Sequence, residues 1–437
     1  MSRHQHVKYL LIGGGLASSA AAKAIRNSDK DGSIYLLAQE SSRPYHRPAL
    51  SKDYLRGLKS REDLFTDFVG WFKENHIDLH TGSRAIALDV NRKCVSIETG
   101  DEIQFDKLLI ATGASPIKLT VPGAQLANLF YLRNLEDADR LKHAIELASG
   151  QLNRRDNNLN LANSVAGESQ PVKHGRVVVV GAGMLGVEIA ATLAAIGLHV
   201  ELIASGPHPW NRICGETAGN IILRAITDHH ITTHLNSQVA ALEGDGRLQR
   251  VRLADGKVIA CDFAIAAIGI TPNRELLRNT PINSQRAILT DEHCQTNIPD
   301  IYAAGDCAAV FDPLFNRHRQ LDHWESAAFT GTIAGRNMAG AKASFDIVSH
   351  FSSDLLGLTL HVYGDHRHVD HRIIRNIGTT DVIEFGINSE GRITQALSLS
   401  QNPKSVSLRA LVRSRLDVSG KEEQLRDPKV GIDELLP

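Results

Sequence analysis

Paired cysteines are missing from this chain. Its five, Cys94, Cys214, Cys261, Cys294 and Cys307, form no C-x-x-C or C-x-x-x-x-C arrangement, which argues against a disulfide framework. A surplus of either charge is missing too. Lys and Arg number 48 against 49 Asp and Glu, a formal net charge of −1, so neither nucleic acid nor an acidic membrane surface is the expected main partner. No run is apolar and long enough for a transmembrane helix. The beginning, Met1-Ser2-Arg3-His4-Gln5-His6, leads straight into a strand pattern without a secretory signal, and a cytoplasmic location is expected. There is no coiled-coil pattern, and no internal repeat beyond one pair of glycine-rich units. An apolar content of 42% supports a sizeable core, and 437 residues suggest two or three domains.

The glycine-rich units are what the chain does have. The apolar run Lys8 to Ile12 is followed by Gly13-Gly14-Gly15-Leu16-Ala17-Ser18, and Arg176 to Val180 by Gly181-Ala182-Gly183-Met184-Leu185-Gly186. Each reads as a strand, a tight turn and an alanine-rich helix. That order suits a dinucleotide pyrophosphate, which backbone N–H groups and the positive end of a helix bind well. A Cβ in the turn would block the approach. The second unit has all three glycines of G-x-G-x-x-G, and the first places Ser18 at the third position, where a small side chain still fits. One such motif is weak evidence. Two in the right setting point to a flavin and a nicotinamide in one chain, and hence to electron transfer. The helix after the first motif holds no cysteine, which counts against electrons passing through a redox-active disulfide of its own. Cys307 reads as a small packed residue.

Strand Ser33–Ala38 ends at Gln39-Glu40, where an acid can accept hydrogen bonds from a ribose; a solvated loop carboxylate is the plainer reading. A Pro/Arg-rich loop runs from Arg43 to Lys52, and a β-rich stretch from Ile77 to Glu98. Leu108 to Gly113 and Phe263 to Gly269 read as buried strands ending in tight turns. Residues 151 to 172 are rich in Asn, Ser and Gln and read as an inserted loop. After Tyr302-Ala303-Ala304-Gly305-Asp306 a helix is expected from about Trp324 to Met338. Asp306, an acid after a small-residue strand and a Gly, points to a ligand crevice. Leu358 to Tyr363, Ile373 to Ile377 and Val382 to Ile387 alternate as in an antiparallel sheet, with short helices near Ser405–Arg415 and Gly431–Leu436. The expected fold is α/β: two Rossmann-like three-layer dinucleotide-binding domains plus a C-terminal α+β domain with an antiparallel sheet. The FAD-binding domain is expected at 1–124 and 273–340, the NAD(P)-binding domain at 125–272, and the C-terminal domain at 341–437.

Over nearly its whole length the chain resembles the FAD/NAD(P)-dependent pyridine nucleotide-disulfide oxidoreductase superfamily. Within it, the likeness is to the group of ferredoxin reductases, monodehydroascorbate reductases and apoptosis-inducing-factor-like flavoproteins, without the redox disulfide. The most specific element is Arg43-Pro44-Tyr45 through Arg47-Pro48-Ala49-Leu50-Ser51-Lys52, similar to the family's P-Y-x-R-P-x-L-S-K. Ala111-Thr112-Gly113, the second glycine motif with Glu188, Gly269 to Asn273, Tyr131 to Leu141, and Tyr302 to Asp306 support it. The resemblance implies that Gly13, Gly15 and Glu40 hold the FAD pyrophosphate and ribose, and that Arg47 contacts the diphosphate. Lys52 would reach the flavin N5 edge and pair with Glu188. Thr112 and Gly113 would line the flavin pocket with Arg133 nearby, Asp306 would bind the ribityl or pyrophosphate region, and Trp324 with Glu325 would sit near the ring systems. Gly181, Gly183, Gly186 and Gly269 would serve the NADH or NADPH site. Plainer readings make Arg47 the partner of a carboxylate, Lys52 a solvated lysine, Glu188 an exposed helix residue and Trp324 a core anchor. The chain departs from the pattern at His350-Phe351-Ser352-Ser353-Asp354, where aromatics are thin.

The implied reaction passes hydride from NAD(P)H to FAD N5, then electrons to an acceptor, an iron–sulfur protein of ferredoxin type. A small-molecule reductase acting on monodehydroascorbate, peroxide or a quinone stays open. The loop Gly206 to Arg212 resembles a Pro-x-Pro-Trp segment of monodehydroascorbate reductases. An apoptosis-inducing-factor-like flavoprotein with slow turnover stays open as well. The chain is expected as a monomer or homodimer. The acid that marks an NAD site aligns with Ala204, Glu201 falls inside its strand, and His208 and Arg212 are cationic candidates for a 2′-phosphate; the balance leans to NADH. His361, His366, His368 and His371 read as a polar turn rather than a metal site.

Overall fold

The strand His4–Ile12 shows why the first half of the chain folds as it does. Its successive apolar residues are buried on both faces: Tyr9 and Leu11 lie in one core cluster, and Leu10 and Ile12 in another. A strand covered on both sides belongs in a parallel sheet flanked by two layers. Ile34–Leu37 and Glu102–Ile110 pair with it in parallel, and Ile77–His80 pairs in parallel with Ile34–Leu37. Glu102–Ile110 divides its partners. Its early residues pair with the antiparallel Cys94–Ile97, and its last three with the parallel Ile301–Ala303. The structure is a computed structural model that describes residues 4–68, 70–150, 175–400 and 405–436. The expected inserted loop at 151–172 lies outside the described residues.

The chain divides into two compact units. One comprises Met1–His46, Arg61–Ser115 and Ile270–Phe351, the other Arg47–Ser60, Pro116–Gly269 and Ser352–Pro437. The segment carrying Arg47 and Lys52 therefore belongs to the second unit.

In the first unit the helix Leu16–Ser28 covers one face of the sheet, and the helix Trp324–Met338 lies against it. Their approach is unusually close. A Cβ on Gly331 would stand 2.2 Å from the Ala17 carbonyl oxygen, and one on Gly335 2.4 Å from that of Ala21. The four-residue spacing of these glycines puts both on one helix face.

The second unit repeats the doubly wound plan. Its parallel sheet runs Thr232–His234, His199–Ile203, Arg176–Val180, Phe263–Ala266, Leu129–Phe130. A three-stranded antiparallel sheet, Val239–Glu243, Arg250–Leu253 and Val258–Ala260, closes one face around Val178, Val180 and Ala264. The C-terminal part is an antiparallel sheet in the order His350–Leu355, Leu358–Gly364, Ile393–Leu399, Val382–Ile387, His371–Asn376. The helix Ser405–Ser414 follows it. A short helix, Glu422–Arg426, was not expected. Five residues give no periodicity, and the element is held from outside: the buried Arg375 guanidinium donates to the carbonyls of Gln424, Leu425 and Val430.

Glu384 ties this sheet to the nucleotide-binding part of the same unit. It is fully buried, and its carboxylate accepts from the N–H groups of Gly215 (2.6 Å) and Ala218 (3.0 Å) at the start of the helix Glu216–Asp228. Arg372 lies 3.5 Å from it and donates to Gln395 and to the Ile213 carbonyl. The anion thus sits at the positive end of a helix and beside a guanidinium.

Two substitutions test these packings. Gly331→Val should cost roughly 1–3 kcal/mol through overpacking, seen as a lower thermal midpoint; an unchanged midpoint would refute the close helix approach. Glu384→Leu removes the counter-ion of the partly buried Arg372 and the acceptor of two helix N–H groups, a loss of about 3–5 kcal/mol in urea unfolding, with faster amide exchange in Glu216–Asp228.

Candidate dinucleotide sites

Each glycine turn is shaped by a carbonyl. Gly13 has φ +123°, and a Cβ there would stand 2.1 Å from the Ala111 oxygen; Gly181 has φ +108°, with the Ala267 oxygen at 2.3 Å. Only glycine admits both that backbone and that approach. Two residues on, Gly15 and Gly183 cap their helices in extended conformation, with no side-chain cap and no acid in the first turn. A Cβ on either would meet nothing within 4 Å. The first-turn N–H groups therefore face open space at the positive helix end, which is what a pyrophosphate requires. The third positions differ. A Cβ on Gly186 would stand 1.8 Å from the Gly181 oxygen, whereas Ser18 is accommodated fully buried, its Oγ without a hydrogen-bond partner among the described residues. The residues present fit two dinucleotides, FAD and NAD(P).

Other expected residues of the first unit gather at the ends of the same strands. Glu40 accepts from Tyr45 Oη at 2.6 Å. The Thr112 and Gly113 turn is held by Asn273, which the sequence places at the end of the Gly269 motif: Thr112 Oγ1 donates to the Asn273 carbonyl (2.8 Å) and Asn273 Nδ2 to the Thr112 carbonyl (2.9 Å). Asp306 sits on the turn Gly305–Cys307, where Gly305 N–H donates to Thr330 Oγ1. Trp324 begins its helix half-buried, edge-on to the His46 ring with centroids 4.6 Å apart. Glu325 is exposed and pairs with His350.

In the second unit the structure brings Arg47 to Arg133: the Arg47 guanidinium donates to the Arg133 carbonyl at 2.7 Å. A capping box fixes Arg133 in turn, because Asn134 and Asp137 satisfy each other's backbone N–H and Asp137 also accepts from Arg133 N–H. Lys52 Nζ lies 2.9 Å from Glu188 Oε1. Glu188 is not an exposed helix residue; its side chain is only 11% accessible. Two hydroxyls for which the sequence suggested no role complete its shell. Ser51 Oγ donates to Oε2 (2.9 Å) and Ser353 Oγ to Oε1 (2.7 Å). Thr192 donates to the Ser51 carbonyl at 2.7 Å and steadies that loop. Gly269 has φ +123° and accepts from Ile117 N–H.

Of the cationic candidates for a 2′-phosphate, His208 is withdrawn. Its ring is buried, its Nδ1 lies 2.9 Å from the Pro209 carbonyl, and it fills the space above Gly219. Arg212 is exposed and Ala204 buried. All five cysteines are free and buried, and burial pushes the Cys214 and Cys261 thiols up to about 12. In the His-rich stretch His368 lies 3.7 Å from Asp365, and no group of three or more metal-ligating side chains occurs among the described residues. No helix among them is long and apolar enough to cross a membrane.

The family model described as pyridine nucleotide-disulphide oxidoreductase matches residues 7–331. The ferredoxin–NAD(+) reductase component of the biphenyl dioxygenase system of Paraburkholderia xenovorans (strain LB400) is 28% identical over 428 residues, covering 98% of this chain and 97% of its own. Monodehydroascorbate reductase 2 of Arabidopsis thaliana is 29% identical, with 84% and 83% covered. A crystal structure of the covalent putidaredoxin reductase–putidaredoxin complex matches with TM-score 0.86 at 25% identity, covering 98% of both chains. The chain belongs to the pyridine nucleotide-disulphide oxidoreductase family and is an FAD- and NAD(P)H-dependent oxidoreductase of the ferredoxin reductase type.

Proposed function

We propose that this chain takes electrons from NADH or NADPH through bound FAD and delivers them to a small iron–sulfur protein in the cytoplasm. The observation that carries the reading is the coexistence of two uncapped, glycine-started helix ends with one largely buried Lys52–Glu188 pair. When bound, the nicotinamide supplies two electrons as hydride and the flavin can release them singly, which suits a one-electron acceptor.

The residues have separable tasks in this reading. The Gly15 and Gly183 helix ends receive the two pyrophosphates, and Glu40, oriented by Tyr45, accepts from the FAD ribose. Arg47, anchored on Arg133, adds a planar cation for the FAD diphosphate. Asn273 keeps the Thr112 and Gly113 backbone in place for the flavin pocket, and Asp306 and Trp324 complete its lining. Lys52 supplies positive charge for the reduced flavin, and such charge acts best when fixed in advance. Glu188, itself held by Ser51 and Ser353, does that fixing.

The Pro-x-Pro-Trp likeness to monodehydroascorbate reductases has a local explanation. Trp210 is buried, and its backbone N–H donates to the Ala182 carbonyl inside the glycine turn, so the segment braces that turn.

The protein should purify yellow, or reconstitute with FAD, and bleach anaerobically with NADH or NADPH; a colourless chain that takes up no FAD would end this reading. Lys52→Met should slow bleaching on the order of 10- to 100-fold, the scale of losing one fixed charge donor, with coenzyme affinity little changed. An unaltered stopped-flow rate would remove Lys52 from the machinery. Iodoacetamide on the native protein should leave reductase activity intact, because buried thiols of raised pKa form little thiolate at neutral pH; inactivation would implicate a cysteine.

A further inference from the structure

The two glycine units can be laid over one another through their own backbone hydrogen bonds. In the first, Gly13 N–H donates to the Leu37 carbonyl (2.8 Å), Ala38 to His80 (2.8 Å), Ser83 to Ala38 (2.9 Å) and Gly82 to Glu40 (3.0 Å). In the second, Gly181 donates to Ile203 (2.8 Å), Ala204 to His234 (2.8 Å), Ser237 to Ala204 (2.9 Å) and Asn236 to Gly206 (3.1 Å). Bond by bond, Leu37 corresponds to Ile203, Ala38 to Ala204 and Glu40 to Gly206. The place that bears a carboxylate in the first unit bears no side chain in the second.

Nothing acidic replaces it. Ala204-Ser205-Gly206 contains no carboxylate. Glu201, the acid before them, is turned to His234 at 2.5 Å, and His234 Nδ1 lies 3.3 Å from Lys257 Nζ. What occupies the vacated space is an amide: a Cβ on Gly206 would stand 2.4 Å from Asn211 Nδ2. The next residue, Arg212, is exposed.

A carboxylate at the end of this strand accepts from the 2′-OH of NAD and repels a 2′-phosphate, and a nearby Arg accommodates that phosphate instead. The NH2 of an amide and a guanidinium can both donate to it, and neither carries a negative charge. We propose that the second unit is an NADPH site, with Gly206 as the specificity-determining position and Asn211 and Arg212 receiving the 2′-phosphate. This rests on the reading that the second unit holds the nicotinamide coenzyme, and it reverses the lean to NADH drawn from the sequence at Ala204, Glu201, His208 and Arg212.

Calorimetric titration of the FAD-loaded full chain with 2′,5′-ADP and with 5′-AMP tests it without turnover. The phosphorylated nucleotide should bind at least about fivefold tighter. Arg212→Ala should bring the two within about twofold while leaving 5′-AMP unchanged. The double substitution Gly206→Glu with Asn211→Ala, which restores a carboxylate and clears room for it, should reverse the order. Tighter binding of 5′-AMP by the parent chain, or no binding of either nucleotide, would overturn the proposal. Anaerobic bleaching separates it from the reading it rests on. Bleaching by NADH alone overturns the NADPH assignment and leaves the reductase function standing. Bleaching by neither coenzyme, with 2′,5′-ADP still preferred, overturns the function and keeps the site.

Discussion

Everything functional in this chain depends on a carbonyl oxygen pressed against a carbon that lacks a side chain. The Ala111 and Ala267 oxygens sit where any Cβ on Gly13 or Gly181 would be. That contact turns the chain sharply enough for the following helix to start beside the strand end. The helices Leu16–Ser28 and Met184–Ile196 then begin at glycines that offer no cap of their own. Their first-turn N–H groups stay available to an anion, and a diphosphate is the anion a dinucleotide brings.

Two carboxylates in the second unit, Glu384 fully buried and Glu188 largely so, do opposite kinds of work. Glu384 satisfies a helix start and an arginine, and so joins the C-terminal sheet to the helix Glu216–Asp228. Its role is architectural, and breaking it leaves two helix N–H groups without their acceptor and Arg372 without its counter-ion. Glu188 instead holds a lysine that remains about one-third accessible, through an oxygen shared with Ser353. A charge that is fixed yet accessible is suited to act on a bound group.

The parts legible in sequence were those with a backbone reason. Gly13, Gly181 and the small-residue strand ends at Gly113 and Gly269 mark conformations that few other residues adopt. The helix Trp324–Met338 and the antiparallel C-terminal sheet lie where their patterns put them, although Val382–Ile387 is buried at every position rather than at alternate ones. The Lys52–Glu188 pair came from the resemblance. The bonds of Ser51 and Ser353 to Glu188 were invisible, although Ser51 lies in the quoted motif, because serine is common and because they lie 137 and 165 positions away. Glu384 was hidden inside a strand that reads as ordinary alternation. The correspondence of Glu40 with Gly206 required the hydrogen-bond ladder, since the flanking residues align equally well by eye at Ala204. His208 looked available because sequence does not show that its ring fills the space over Gly219.

The central claim is that one chain carries two independent dinucleotide sites. Native mass spectrometry of the full chain, supplied with FAD and NADP⁺, counts them directly. The account predicts one of each per chain, with Gly13→Val losing only FAD and Gly181→Val losing only the nicotinamide coenzyme. A single bound dinucleotide, abolished by either substitution, would contradict it.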